Sequence, residues 1–378
     1  MATPIRVLVV DDSALMRKAL KAMLVEGGFE VDTARNGVDA LDQVRHHAPD
    51  VVTLDVNMPE MDGMTCLARL MTEHPLPVVM VSSLTEADAR VTFEALELGA
   101  VDYVAKPGGT VSLDIESVRR ELLTKVRGAS RARVRRSGGL RERLRQQREE
   151  VEQGRPVPAP REPVTAPSGP VPRPPHPART PRRPATTGLP EVVLIGSSTG
   201  GPTALSEVLS VLPRDFPAPV VVAQHIPASF TKHLAQRLDD DCAIAVREVS
   251  ATEELRPGTV YLGRGDADVV IGRRPGGLTA RSVPASAEYR WHPSVDRLVA
   301  SALAHCLDPR RVVGVLLTGM GDDGAAELTR LRELGGRTIA ESEQTAVVFG
   351  MPGDLVRRGG ADVVLPVHRI GGQLSDWA

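Results

Sequence analysis

Between Arg155 and Pro184 the chain reads RPVPAPREPVTAPSGPVPRPPHPARTPRRP, a stretch of Pro, Arg, Ala and Thr in which no apolar periodicity survives that could bury a core. Any fold must therefore be built on either side of it, from two separate cores. The proline density favours extended backbone at about 3 Å per residue, a tether rather than a domain. With 378 residues and 42% hydrophobic content, the chain is long and apolar enough for two ordinary globular domains.

On the N-terminal side, short β-branched runs alternate with helical periods: IRVLVV, a helix from Ser13, FEVDTA, a helix from Asn36, then DVVTL, PVVMVS and VDYVA. Five such runs separated by helix-length segments predict a doubly wound, five-stranded parallel sheet of the flavodoxin-like kind. On the C-terminal side, EVVLIG precedes a helix from Pro202, APVVVAQ one near Ser229, and RVVGVLL one from Asp323. Residues 244–285 read as short strands joined by Gly and Pro turns, so this half is expected to be α/β with a mainly parallel sheet and a hairpin-rich insertion. The expected boundaries are 1–124 for the first domain, 125–187 for a basic linker and 188–378 for the second domain.

Charge follows the same division. Residues 1–124 carry 11 basic and 20 acidic side chains, residues 125–187 carry 16 and 5, and residues 188–378 carry 19 and 23. The Arg-rich middle lacks interleaved aromatics and precedes no helix-turn-helix pattern, so it reads as a solvated tether and no nucleic-acid partner is expected. Cys66, Cys242 and Cys306 are widely spaced and odd in number, which argues against a disulfide framework or a zinc site and fits a reducing cytoplasm. No basic segment leads into an apolar core at the N-terminus and no run of about 18 apolar residues occurs, so neither export nor membrane insertion is expected.

In a doubly wound sheet, ligands sit at the C-terminal strand ends. There the first half places Asp11 and Asp12 after its first strand, Asp55 at the end of the third, Ser82 at the end of the fourth and Lys106 after the fifth. Clustered carboxylates repel one another unless a cation neutralises them, and hard oxygens suit Mg²⁺. A carboxylate so placed can take up a phosphoryl group, with Lys106 pairing first with the carboxylate and then with phosphate. A single Asp at a strand end is more often a helix cap; it is the joint arrangement that points to this chemistry.

The strings VVDDS, LDVNMPEMDG, VMVSSLT and DYVAKP resemble the response-regulator receiver domain. That resemblance implies phosphorylation of Asp55 and Mg²⁺ held by Asp12, Asp55 and the Asn57 carbonyl, with Asp11 acting through water. It also implies a switch formed by Ser82 and Tyr103 together with Lys106.

In the second half, EVVLIGSSTGGP is a strand entering a Gly-bounded turn before a helix, a setting that presents a serine to helix N–H groups suited to an oxyanion. Gly196–Gly200 matches G-x-S-x-G literally, but short patterns recur by chance and phosphate-binding loops look alike. A serine nucleophile needs a base and an orienting acid. His225 ends one strand and Asp323 follows another, whereas His292 in RWHPSVD is a weaker competitor. Each has a plain alternative, a structural histidine or a helix-capping aspartate; their convergence on one sheet edge favours the triad.

The chain order Ser, His, Asp differs from that of α/β-hydrolases. The strings IGSSTGGP, AQHIPASFTKHLAQRL, HPSVDRL and LLTGMGDDGA resemble instead the catalytic domain of the chemotaxis protein-glutamate methylesterases, the CheB family. The resemblance implies Ser198 as nucleophile, His225 as general base and then acid, and Asp323 as its orienting partner. Thr199 and Met320 would line the site, with the Met320 N–H an oxyanion donor and no cofactor in the esterase site. Ser197 stands where family members often have alanine, and Asp322 where they often have asparagine.

The implied substrates are glutamate methyl esters on methyl-accepting chemotaxis receptors, with receptor glutamines as deamidation substrates in many family members. A chemotaxis histidine kinase would supply the phosphoryl group to a monomeric, cytoplasmic protein. In the family the unphosphorylated receiver covers the catalytic cleft, and a long tether is expected to weaken that inhibition. The rival readings are a non-enzymatic response regulator or phosphate sink with an interaction-module output, and a serine esterase of another methylated signalling protein. Intact Ser198, His225 and Asp323 argue against the first.

Overall fold

The computed structural model describes residues 4–82, 86–106, 115–132, 189–306 and 308–378. Of the linker expected at 125–187, residues 133–187, the whole proline-rich tether among them, lie outside the described residues.

The first sheet is formed by β1 (Arg6–Val10), β2 (Glu30–Ala34), β3 (Val51–Asp55), β4 (Val78–Ser82) and β5 (Asp102–Ala105), in the order β2-β1-β3-β4-β5. Every pairing is parallel. The interior strands β3 and β4 are buried along their whole length, whereas edge strand β2 alternates buried with exposed, which explains why the former read as continuous apolar runs.

Helices α1 (Ala14–Glu26), α2 (Gly37–His47), α3 (Gly63–Glu73), α4 (Glu86–Leu98) and α5 (Ile115–Ala129) connect and flank these strands. Ser13, Asn36 and Asp62 cap the first three, each side chain accepting a backbone N–H of the first turn. Helix α5 continues to Ala129, and Val126 and Ala129 are buried in the same core as Leu20, Leu24 and Leu122.

The second sheet has seven parallel strands: β6 (Val192–Ser197), β7 (Val220–Gln224), β8 (Ala245–Val249), β10 (Thr259–Gly263), β13 (Val312–Leu316), β14 (Arg337–Glu341) and β15 (Val363–Leu365). Their order is β15-β14-β13-β6-β7-β10-β8. The helices are α6 (Gly201–Leu209), α7 (Ala228–Asp241), α8 (Val295–His305), α9 (Ala325–Glu333), α10 (Met351–Arg357) and α11 (Val367–Trp377).

The antiparallel part is smaller than the sequence suggests. Of residues 244–285, β8 and β10 join the main sheet in parallel, and only β9 (Glu253–Glu254), β11 (Ala267–Arg274) and β12 (Gly277–Pro284) form an antiparallel sheet. Strand β10 is buried throughout between two neighbours, and β8 alternates as an edge strand should. Short runs punctuated by Gly and Pro look alike in both roles, so length alone could not separate them. Among the described residues no helix is long and apolar enough to cross a membrane.

Candidate functional site

The rim of the first sheet gathers the acids that the sequence places at its strand ends. Asp11 and Asp55 are buried, Asp12 is exposed, and one oxygen from each of the three lies within 4.8 Å of the others. The Lys106 ammonium sits 2.8 Å from Asp55 Oδ2 and 3.1 Å from Asp11 Oδ2. Apart from that ammonium, neither buried oxygen has a hydrogen-bond donor aimed at it among the described residues. Burial raises the Asp55 carboxyl above its ordinary pKa although Lys106 opposes the shift. For Lys106, burial works against the charge, but the bonds to Asp55 and Asp11 outweigh it and hold the ammonium above its ordinary value.

Three converging carboxylate oxygens, two of them short of donors, fit a hard divalent cation. The Asn57 N–H reaches Asp55 Oδ1 at 3.4 Å, holding the loop after β3 against the acid. Ser82 is buried beside this rim, and its carbonyl accepts the Lys106 N–H at 2.8 Å.

On the second sheet the serine turn and the histidine occupy neighbouring strand ends. Ser197 on β6 is in register with Gln224 on β7, and the His225 N–H donates to the Ser197 carbonyl at 3.0 Å. Gly200, with φ of 76°, lets the chain turn into α6, and the Gly201 N–H closes the turn on the Ser198 carbonyl at 2.7 Å. Gly319 lets the loop after β13 pass close by: a Cβ placed there would lie 2.8 Å from Ser198 Cβ. The Ser198 N–H donates to the Thr318 carbonyl, and the Thr318 N–H in turn donates to buried Glu341.

His225 Nε2 bonds Asp323 Oδ2 at 2.8 Å, which leaves Nδ1 as the available nitrogen; it is buried and has no hydrogen-bond partner among the described residues. The helix expected from Asp323 begins at Ala325, and Asp323 caps a different helix. Its Oδ2 accepts the Val295 N–H at 2.7 Å, and its Oδ1 accepts the Ser294 hydroxyl and the Asp296 N–H at 3.0 Å each. Burial acts to raise the Asp323 pKa, but the hydrogen bond and charge of His225 and these backbone donors hold it below the ordinary value. Asp322 is exposed, so the pairing of His225 falls to Asp323. The competitor His292 is bonded instead to Asp268, at 3.1 Å.

Asp296, just behind this carboxylate, is pushed up to about 6, by burial first and by Asp323 among the lesser causes. Its folded form holds the proton more tightly than the unfolded chain does. The associated stability is therefore full below the ordinary value of 3.8 and is lost as pH rises through about 6. Asp296→Asn is expected to melt higher than wild type at pH 8, by about 1–3 kcal/mol of unfolding free energy, with the gap closing at pH 4. Calorimetry at the two pH values checks this, and a gap independent of pH would refute it.

Three residues that sequence reasoning missed complete the arrangement. Gln224 is buried and ties the two strand ends together: its Nε2 donates to the carbonyls of Ser198 and His225, while its Oε1 accepts the Ser197 hydroxyl at 2.6 Å. Trp291 stacks on the His225 ring. Asp102, at the start of β5, accepts the hydroxyl of Thr199 at 2.6 Å, so a carboxylate of the first domain holds the residue next to Ser198.

Around that bond the two domains pack. Phe230 of α7 lies against Tyr103, with ring centroids 4.3 Å apart, and against Phe93 of α4 at 6.3 Å. Each such ring pair contributes about 0.5–1.5 kcal/mol beyond its buried area. Arg237 pairs with Glu97, and Gly128 of α5 fits against Met320: a Cβ there would lie 3.0 Å from the Met320 sulfur. The Tyr103 hydroxyl is buried without a partner among the described residues.

A doubly wound sheet with an acidic rim, docked by its β5 side onto a serine turn flanked by a histidine–carboxylate pair, defines the class: a receiver-type domain set against a serine-hydrolase-type domain. Family comparison matches residues 193–374 to CheB methylesterase and residues 7–115 to the response regulator receiver domain. A protein-glutamate methylesterase/protein-glutamine glutaminase 2 of Rhodopseudomonas palustris is 53% identical over 99% of this chain and 98% of its own length. A protein-glutamate methylesterase/protein-glutamine glutaminase 3 of Rhodospirillum rubrum is 54% identical over 98% of this chain and 96% of its own. The crystal structure of the Thermotoga maritima CheB methylesterase catalytic domain aligns with 50% of this chain and 99% of that domain, at 38% identity and a TM-score of 0.48. The chain belongs to the CheB methylesterase family and carries a response regulator receiver domain at its N-terminal end.

Proposed function

We propose that the protein hydrolyses methyl esters of glutamate side chains on methyl-accepting chemotaxis receptors, that it deamidates receptor glutamines by the same route, and that phosphorylation of Asp55 controls both. The observation that carries the reading is the His225–Asp323 pair beside the Ser198 turn, with the neighbouring Thr199 held by the receiver.

In this mechanism Ser198 Oγ attacks the ester carbonyl carbon as its proton passes to His225 Nδ1. The carbon–methoxy bond then breaks, and His225 returns the proton to the departing oxygen, releasing methanol. Water repeats the sequence on the acyl-serine, giving glutamate and free Ser198; from a glutamine the departing group is ammonia. Asp323 keeps Nε2 as the protonated nitrogen and stabilises the imidazolium. The Met320 N–H and the start of α6 face the developing oxyanion, and Thr199 lines the substrate side.

In the receiver, Asp12, Asp55 and the Asn57 carbonyl would hold Mg²⁺, with Asp11 acting through water. The cation would supply charge neutralisation for phosphoryl transfer from a chemotaxis histidine kinase. Lys106 then pairs with phosphate oxygens, Ser82 donates its hydroxyl to them, and Tyr103 follows Ser82. Because Tyr103 packs on Phe230, its movement weakens the docked face.

The test is methanol release from methylated receptor cytoplasmic fragment, with and without Mg²⁺ and a small-molecule phosphodonor. Wild type is expected to release methanol faster with phosphodonor, Asp55→Asn to lose only that acceleration, and Ser198→Ala to lose about 10⁴-fold or more. An inert wild type would overturn the substrate assignment.

A further inference from the structure

The indole of Trp291 lies nearly parallel to the imidazole of His225, with ring centroids 5.2 Å apart and 12° between the planes. Trp291 is one of only two tryptophans in the chain and sits partly exposed in the segment between β12 and α8. The Arg290 guanidinium lies 5.2 Å from the same indole. Gly321, at φ of 93°, carries the Asp323 loop past the ring edge, where an added Cβ would stand 3.6 Å from Trp291.

One hydrogen bond fixes one atom of the imidazole. The bond from Nε2 to Asp323 leaves the ring free to tilt, and the χ2 torsion of histidine is broad. A tilt of the ring carries Nδ1 away from the nucleophile turn. A flat aromatic surface against the ring face removes that freedom without competing for either nitrogen, which an aliphatic side chain does less well and a polar one not at all.

The indole face also attracts a cation, and the imidazole becomes one each time it accepts the serine proton. The charges bearing on the ring pair are Asp323, bonded at Nε2, which favours the imidazolium, and Arg290, whose guanidinium lies 5.2 Å from the indole and opposes it.

We infer that Trp291 is a positioning residue for His225: its indole sets the plane of the imidazole so that Nδ1 faces the Ser198 turn, and it steadies the imidazolium formed there. The kinetic part of this inference rests on the function proposed above; the ring pair itself does not.

The experiment therefore has two arms on the full chain. In a Trp377→Phe background Trp291 is the sole indole, and a stacked imidazolium quenches indole emission. Its fluorescence is expected to fall as pH is lowered, to lose that response in His225→Gln, and to keep it in His292→Gln. Emission that does not respond to His225→Gln would overturn the ring pair.

In the kinetic arm, Trp291→Leu is expected to lower kcat for methanol release by about 3- to 30-fold with KM within about twofold, and Trp291→Phe to recover most of the loss. A raised KM with unchanged kcat would overturn the positioning role and make Trp291 a substrate-docking residue. A wild type inert on this substrate would sink the functional reading, while the fluorescence arm would still decide whether the rings pair.

Discussion

Asp323→Asn is expected to lower kcat for methanol release by about 10⁴-fold while leaving KM within a few fold, the size of loss seen when the orienting carboxylate of a serine hydrolase is made neutral. The reason is the count of donors around the side chain. His225 Nε2 and the Val295 N–H point at Oδ2, and the Ser294 hydroxyl and the Asp296 N–H point at Oδ1. An amide can present an acceptor to only one of those pairs. If its oxygen stays with His225, the NH₂ meets the Asp296 N–H head on; if it faces Asp296, the NH₂ meets His225 and turns the wrong nitrogen of the ring into the protonated one.

Either outcome leaves a buried donor unsatisfied, at a cost of about 1–3 kcal/mol in stability. Melting measurements must therefore accompany the kinetics. Because the Asp323 pKa is depressed in the folded state, its stabilising effect is present above the ordinary value and is lost as pH falls through the folded one. The variant should accordingly lose the corresponding acid limb of the stability profile. A folded variant with less than a tenfold loss of kcat would mean that His225 is not the base or is oriented by another group.

Much of this geometry was legible from residue type and strand position. Parallel strands end at one rim, so polar residues after apolar runs converge whether or not their side chains are seen, and Asp11, Asp55, Ser82, Lys106, Ser198 and His225 all follow from that rule. Local capping was readable for the same reason: Ser13 and Asn36 satisfy N–H groups three residues away.

What could not be read depends on contacts between segments far apart in sequence. Asp323 looked like the cap of its own helix and caps α8 instead. Strand β15 has three residues, and β14 is bounded by Arg337 and Glu341, so neither gives an apolar run long enough to recognise. Trp291 leaves a faint signal, an aromatic in a chain with 3% aromatics, but the adjacent His292, which is bonded to Asp268, carries the stronger chemical signature in sequence. Gln224 offered none: a glutamine ending an apolar strand is ordinary until its amide is seen to bridge two turns.

Asp102 belongs to that second group, and it leads to a prediction about control. Asp102→Ala is expected to raise methanol release by the unphosphorylated chain about ten- to a hundredfold, toward the rate reached with phosphodonor. The bond from the Thr199 hydroxyl to Asp102 Oδ2 is 2.6 Å long and buried, and hydrogen bonds to a charged partner contribute about 1.5–3 kcal/mol each. Losing that free energy from the docked form alone shifts the balance between docked and free forms by the same factor, provided that docking is what limits the basal rate. Asp102→Asn keeps an acceptor and should give a smaller rise.

The substitution also removes a partner of half-buried Lys125, which lies 3.1 Å from Asp102, although Glu121 remains at 2.9 Å. Phe230→Leu provides the check from the other side of the interface, since it thins the contact with Tyr103 and Phe93 without touching any charge. If both variants raise the basal rate and respond less to phosphodonor, the docked face is the inhibitory one. If Asp102→Ala leaves the basal rate unchanged while phosphodonor still activates it, the Thr199 bond is incidental to control, and the tether expected from the sequence keeps the receiver off the site more often than the docked geometry implies.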